Sequence, residues 1–117
     1  MQFETFLLLV KFGIPISAHG YWYIREAVDI VNNDPRKLLF LFNDVCQEIA
    51  EKYNTTKFAV ERSMRHAIGK AWTKGSINQE LKSEIGNAII WEQKPTNKEF
   101  VTIIMEILWS KRTMMNY

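Results

Sequence analysis

Helix start and stop signals recur along this chain, whereas the alternation of apolar and polar residues that marks strands is nearly absent. "GIP" at residues 13–15 joins a glycine suited to a helix end with a proline that cannot continue a helix. Asp34 and Pro35 supply an N-cap and a favoured first helical residue. "SINQ" (76–79) and "TNKE" (96–99) both fit the capping-box pattern. These signals predict an all-α fold of about six helices around one core.

The positions of the predicted helices follow from apolar residues at helical spacing. The first covers 2–12, the second begins at Tyr21, and the third begins at Pro35. A further helix carries Val45, Ile49 and Tyr53 on one stripe, and the next runs from about 56 to 73 and stops at Gly75. The last helix is predicted to bury Phe100, Ile103, Ile104, Ile107 and Leu108. Only "NAIIW" (87–91) resembles a strand, and a lone strand has nothing to pair with.

Length and composition bound the class of protein. A chain of 117 residues with 47% hydrophobic content can form a core without metal or disulfide, and we expect one domain over residues 1–117. Cys46, the lone cysteine, cannot form an internal disulfide and is predicted to be buried, which favours a cytoplasmic protein. The apolar run at residues 6–10 is too short to span a membrane and lacks the flanks of a signal peptide.

Positive charge is concentrated in residues 54–74. This segment holds five basic residues and one acidic residue, so it carries +4 although the chain as a whole carries only +2. The remainder of the chain is therefore slightly acidic. Such an asymmetry indicates a polyanionic partner more strongly than the overall charge does.

This segment and the helix before it satisfy the spacing of a helix-turn-helix motif. Such a motif needs a small residue inside the first helix, a turn residue that tolerates positive φ, and a buried apolar residue early in the second helix. Ala50, Asn54 and Val60 meet these needs in order. We therefore predict that the helix at 56–73 is a recognition helix for the DNA major groove.

The predicted recognition helix has an apolar face and a polar face at 100° per residue. The apolar face holds Val60, Met64, Ala67, Ile68, Ala71 and Trp72, and the polar face holds Phe58, Glu61, Arg62, Arg65 and Gly69. Arginine can bond guanine in a bidentate way and glutamate can accept from cytosine, so Glu61, Arg62 and Arg65 are candidate base-reading residues. Candidate phosphate contacts are Thr55, Thr56, Lys57, Lys70 and Lys74. The same polar face also fits an ordinary solvated helix surface.

Four blocks of sequence resemble one family: "GYWYIREAV", "IAEKYNTT", "VERSMRHAIGKAW" and "KPTNKEF". Together they resemble the C-terminal DNA-binding effector domain of the sporulation stage-zero master response regulator of spore-forming bacteria, over about residues 3–109. The resemblance implies a six-helix domain of winged-helix-like or effector class without a substantial sheet. It implies recognition of operator boxes, often by tandem copies, with Glu61, Arg62 and Arg65 reading bases and His66 beside them. It also implies a contact region for the RNA polymerase sigma factor at residues 74–85.

The chain departs from the family pattern in two ways. Phe58 and Ala59 stand where the family has a serine and an arginine, which should weaken phosphate anchoring and bring an exposed ring toward a thymine methyl. The family's receiver domain is absent, so either Met1 is a natural start without an aspartate switch or the chain is an excised fragment. Phe58 and Ala59 support an alternative: a decoy or adaptor that pairs with a full-length regulator or RNA polymerase without strong DNA reading.

Other chemistries lack their motifs. No Cys-x-x-Cys, His-x-x-x-His, P-loop, GxGxxG or GxSxG is present, so we expect no metal, cofactor, small-molecule substrate or enzymatic activity. His66 is predicted to contact the DNA backbone or to pack at the helix edge. The four tryptophans, at positions 22, 72, 91 and 109, are predicted to be core residues. The sequence therefore predicts a cytoplasmic, sequence-specific, double-stranded DNA-binding transcription regulator.

Overall fold

Six α-helices build the part of the chain that this computed structural model describes, residues 2–115. They are α1 (Gln2–Lys11), α2 (His19–Asn33), α3 (Gln47–Lys52), α4 (Lys57–Thr73), α5 (Ser76–Ile85) and α6 (Asn97–Met115). A 3₁₀ helix (Pro35–Phe40) and a π-helix (Leu41–Cys46) connect α2 to α3. The described residues contain no strand, which confirms the predicted all-α fold. None of the helices in this range combines the length and the apolar character needed to cross a membrane.

Three of the predicted helix signals are confirmed. Gly13 follows α1 at φ +88°, a conformation that glycine adopts without strain. The Asp34 side chain accepts a hydrogen bond from the Arg36 backbone N–H at 3.3 Å. At the start of α6, Thr96 Oγ1 accepts from the Glu99 N–H at 3.1 Å, and Glu99 Oε1 accepts from the Thr96 N–H at 2.9 Å. This reciprocal pair is a complete capping box.

The capping box expected at Ser76 and Gln79 is wrong. Gly75, at φ +75° and ψ +7°, takes the N-cap position, and Ser76 is the first residue of α5. One left-handed residue thus turns the chain between α4 and α5, which leaves Ser76 without the extended backbone that a capping serine needs. No side chain caps this end of α5.

The segment from Pro35 to Lys52 is continuous in its helical turns, whereas the sequence suggested two separate helices. The change from 3₁₀ to π geometry between Phe40 and Leu41 places Leu41, Val45 and Cys46 in the core and leaves Leu39 and Phe40 exposed.

The "NAIIW" segment forms no strand. Its last residue, Trp91, is bound instead by Asn78, whose side-chain amide donates to Trp91 O at 2.7 Å and accepts from Trp91 N at 3.1 Å.

The apolar faces of the helices meet in one core. The predicted buried face of α6 is confirmed, with Phe100 and Ile104 fully buried and Ile103, Ile107 and Leu108 nearly so. Cys46 is buried as predicted, and its burial, with the nearby charge of Glu61, raises the pKa of the thiol to about 11. The prediction for Trp22 is wrong, because it is 49% exposed. The other three tryptophans are half-buried against the core.

α2 and α4 form the most extensive helix pair of the fold. A Cβ atom added at Gly20, in the first turn of α2, would lie 2.1 Å from Ser63 O and 2.7 Å from Ala67 Cβ on α4. The two helices therefore meet backbone to backbone at this point. Only glycine permits that approach, since the Ser63 carbonyl cannot move aside as a flexible side chain would.

We expect Gly20→Ala to lower the free energy of unfolding by about 1–3 kcal/mol, because the added methyl forces α2 away from α4. The matched control is Gly69→Ala on α4, where the new Cβ would approach only Lys94, at 3.7 Å from Nζ. That control should stabilise the protein by up to about 1 kcal/mol, as expected for glycine replaced in a helix. Urea denaturation measures both, and equal stability of the two variants would contradict the close contact.

Charged side chains tie α5 to α6. Lys111 Nζ lies 3.1 Å from Glu84 Oε2, and Glu84 shares a hydrogen bond with Glu80. Burial raises the pKa of the Glu80 carboxyl, and the hydrogen bond to Glu84 and its charge raise this pKa further. Lys11 and Lys111 oppose the shift without cancelling it. Glu80 therefore holds its proton to a higher pH in the folded protein than in the unfolded chain.

We expect Glu80→Gln to raise the free energy of unfolding at neutral pH. Because the unfolded chain ionises Glu80 at a lower pH, the free energy of unfolding falls as the pH rises from 4.5 through the raised folded pKa, and the neutral amide avoids this loss. The gain should shrink as the pH falls through the folded pKa towards the ordinary value of 4.5, where the native carboxyl is protonated as well. Urea denaturation at a series of pH values tests this, and a gain that grows at low pH would contradict it.

Candidate nucleic-acid interface

α3 and α4 meet across a tight turn with the geometry that the sequence spacing predicted. Ala50 is buried in α3, Asn54 adopts φ +54° in the turn, and Val60 is fully buried in α4. The Thr55 N–H donates to Ala50 O at 2.9 Å and closes the end of α3. The turn therefore brings the start of α4 directly out of α3, as in a helix-turn-helix.

The end of α3 is fixed on α2 by one carboxylate. Glu26 Oε1 accepts hydrogen bonds from Lys52 Nζ at 2.7 Å and from Tyr53 Oη at 3.1 Å. Tyr53 also contacts Tyr23 edge to face, at 5.4 Å between ring centroids. Tyr53 is 40% exposed, so it binds the surface of α2 and does not enter the core stripe expected from its spacing.

The two faces of α4 lie as the sequence predicted. Val60, Met64, Ala67, Ile68 and Ala71 are buried, and Trp72 is half-buried. On the opposite face Phe58, Arg62 and Arg65 are exposed, while Glu61 and Gly69 are partly exposed. Asn97, the first residue of α6, donates from Nδ2 to Glu61 O at 3.1 Å. Packing behind α4 and this bond beside it hold the exposed face in a fixed orientation.

The three candidate base-reading residues differ in their partners. The Arg62 side chain makes no hydrogen bond or ion pair with any residue in 2–115. Arg65 Nε donates to Glu61 Oε1 at 2.9 Å, with the two side chains 47% and 33% exposed. An exposed pair of this (i, i+4) kind contributes only about 0.3–0.5 kcal/mol. The pair therefore orients Arg65 weakly and can open when a stronger partner arrives.

The residues at the start of α4 are partly engaged. Thr56 caps the helix, with Oγ1 accepting from the Ala59 N–H at 3.1 Å, and its hydroxyl proton remains available. Lys57 Nζ donates to Asn43 at 3.2 Å and lies 4.9 Å from the centre of the Phe42 ring. Phe58 is 66% exposed, although its ring contacts Phe42 at 5.4 Å between centroids. Thr55 is exposed beside them.

The second half of α4 and the residue that follows it present exposed basic side chains. Lys70 and Lys74 are exposed, as is the imidazole of His66. Lys94, which the sequence analysis missed, joins them from the loop before α6. Its Nζ lies 3.7 Å from the position that a Gly69 Cβ would occupy. Gly69 was the one hint in the sequence, because a glycine on the polar face leaves room for another segment to lie over the helix. The residues around Gly69 do not show that this segment is the loop with Lys94.

The surface of α4 can bind a polyanion. Arg65, His66, Lys70, Lys74 and Lys94 surround one shallow depression. The single acid on this helix, Glu61, is already paired with Arg65. A surface of this charge attracts phosphates. In the range 2–115 no group of three or more His, Cys, Asp and Glu side chains is placed to bind a metal ion.

The comparison with known families agrees with this geometry. The family described as "Sporulation initiation factor Spo0A C terminal" matches residues 6–108, which is nearly the whole chain. The match includes the helix-turn-helix of α3 and α4, the loop that carries Lys94, and most of α6. The chain belongs to the family of the C-terminal domain of the sporulation initiation factor Spo0A, a family of DNA-binding regulatory domains and not of enzymes.

Proposed function

We propose that this chain is a sequence-specific, double-stranded DNA-binding transcription regulator of sporulation, with α4 inserted in the major groove. The observation that carries the proposal is the orientation of Arg62 and Arg65, which project from the exposed face of a helix whose opposite face is buried. The B-DNA major groove is wide enough to admit an α-helix, and base edges there distinguish all four base pairs. An unengaged guanidinium on this face is suited to a bidentate contact with guanine.

Each base-reading residue has a distinct proposed role. Arg62 is free to bond O6 and N7 of one guanine. Arg65 uses Nε for Glu61 and keeps its two terminal nitrogens for a neighbouring base. The second carboxylate oxygen of Glu61 can accept from a cytosine amino group. The pair would thus read adjacent positions as one unit.

Phosphate contacts flank the reading residues. Thr55 and the Thr56 hydroxyl lie at the start of α4, and His66, Lys70, Lys74 and Lys94 lie along its second half. Lys57 donates one N–H to Asn43 and keeps two for a phosphate. Phe58 presents an apolar ring that fits a thymine methyl.

Finer roles extend the same proposal. The duplex sites are short operator boxes, which tandem copies of the domain occupy, and the protein acts in the cytoplasm. The exposed side of α5, within residues 74–85, contacts the RNA polymerase sigma factor. The support for these roles is the resemblance of the four sequence blocks to the sporulation regulator.

We expect Arg62→Ala and Arg65→Ala each to weaken binding to an operator-like duplex by about 1–3 kcal/mol. Fluorescence anisotropy on operator-like and scrambled duplexes measures this. The matched variant Arg62→Lys keeps the charge but loses the planar fork, so it should lose affinity for the operator while keeping affinity for the scrambled duplex. Parent-like operator binding by both alanine variants would contradict the assigned reading face.

Lys94→Ala should weaken binding about equally on all duplexes and reduce the slope of log K against log salt concentration by about 0.9, the value for one phosphate contact. The control is Lys11→Ala, at the end of α1 and also exposed. Titrations at several salt concentrations give both slopes. An unchanged slope for Lys94→Ala would show that this lysine does not contact the DNA backbone.

A further inference from the structure

A groove of about 480 Å³ lies beside the base-reading turn of α4. One wall is the 3₁₀ and π segment at residues 39–43, and the other is the loop and first turn of α6 at residues 94–98. Cys46 lies at its base, and the Glu61–Arg65 pair closes one end. The groove is therefore next to the proposed DNA-reading surface and shares one arginine with it.

The interior and one edge of the groove are apolar. Leu41, Cys46 and Pro95 are buried below it, while Leu39 is 67% and Phe40 55% exposed at its edge. Phe42 also lines the groove, and its contact with the exposed Phe58 extends the apolar surface towards α4. Adjacent large apolar side chains in water are the usual mark of a binding surface for another protein.

The rim of the groove is positively charged. Its lining includes three cationic side chains, those of Arg65, Lys94 and Lys98. The one carboxylate in the lining belongs to Glu61, which is paired with Arg65. The nearby Glu99 carboxylate accepts from the Thr96 N–H inside the capping box. The N-terminal end of α6, a helix of 19 residues, also faces this region and adds the positive end of its dipole. An occupant with negative charge is therefore favoured.

We propose that this groove binds an acidic peptide segment of a partner protein, with a bulky apolar side chain between its carboxylates. The apolar side chain would contact Leu39, Phe40 and Phe42. The carboxylates would pair with Arg65, Lys94 and Lys98. Duplex DNA is a poorer match, because its phosphates could pair with the rim but it offers no apolar side chain for the apolar interior of the groove. A second copy of this chain is a poorer match for a basic rim, since each copy carries a net charge of +2.

The position of the groove has a regulatory consequence. Arg65 and Lys94 belong both to the groove and to the proposed DNA surface. A bound acidic peptide would occupy both cations and so compete with DNA for this protein. Peptide binding itself does not depend on the proposed function, whereas the competition does.

The test is an NMR titration of the whole chain labelled with ¹⁵N, without DNA. The probe is a synthetic helical peptide with two phenylalanines four residues apart and glutamates at the flanking positions. Its matched control replaces every glutamate with lysine. We expect shifts at residues 39–43 and 94–98 with the acidic probe, and binding of the control at least about tenfold weaker.

Two variants at exposed positions test the contacts without threatening the fold. Leu39→Asp and Lys98→Glu should each weaken binding of the acidic probe by about tenfold. Their controls are Ile16→Asp, at a residue 55% exposed elsewhere on the surface, and Lys11→Glu at the end of α1, and both should bind like the parent. Circular dichroism establishes that each variant is folded.

Several results would overturn the proposal. These are equal binding of the acidic and basic probes, shifts confined to other residues, no shift at about 1 mM probe, or parent-like binding by both groove variants. Shifts at the groove that grow with protein concentration alone would identify a second copy as the occupant.

In a last step an operator-like duplex is added to the peptide complex. Displacement of the peptide supports competition, and simultaneous binding of peptide and duplex overturns the proposed competition alone. A duplex that fails to bind the free protein would refute the proposed function and leave the groove result intact.

Discussion

The backbone contact between α2 and α4 at Gly20 is the constraint on which the proposed DNA-reading surface depends. α4 has a buried face of five residues, and its exposed face points outward only while α2 covers that buried face closely. Glu26 on the same α2 also fixes the end of α3 through Lys52 and Tyr53. α2 therefore fixes the positions of both α3 and α4. The angle between these two helices follows from their packing on α2 and not from the turn alone.

The start of α6 adds a second constraint on the same turn of α4. Asn97 binds the Glu61 carbonyl, and Lys94 lies over Gly69, so residues about 30 positions downstream border the helix along two of its turns. The capping box of Thr96 and Glu99 fixes the local backbone that presents both side chains. The two bonds between Asn78 and Trp91 attach this loop to α5. The loop thus brings Lys94 over the proposed recognition helix, although residues 2–115 contain no strand.

Local signals were read correctly from the sequence where the determining interactions are local. The capping box at Thr96, the N-cap at Asp34 and the buried face of α4 each depend on residues within one or two turns. The predictions were wrong where a distant residue or a competing local residue determines the structure. Gly75 displaced Ser76 from its capping position, and Trp22 remained at the surface with Arg25 at 5.4 Å over its ring. Lys94 and the groove involve segments brought together only by the fold, so no periodicity in the sequence could place them.

Arg65 connects the two surfaces that this fold presents. Its side chain is only half exposed, and its bond to Glu61 holds it between the polar face of α4 and the apolar groove beside it. An ion pair this weak lets the guanidinium turn to either side for little energy, so the occupant with the better geometry determines its position. While Nε is bonded to Glu61, the two terminal nitrogens form the remaining edge for a bidentate bond, so a base and a peptide carboxylate would compete for that edge. Competition between DNA and an acidic peptide would thus require no movement of the backbone. It would require only that the Arg65 side chain change its partner.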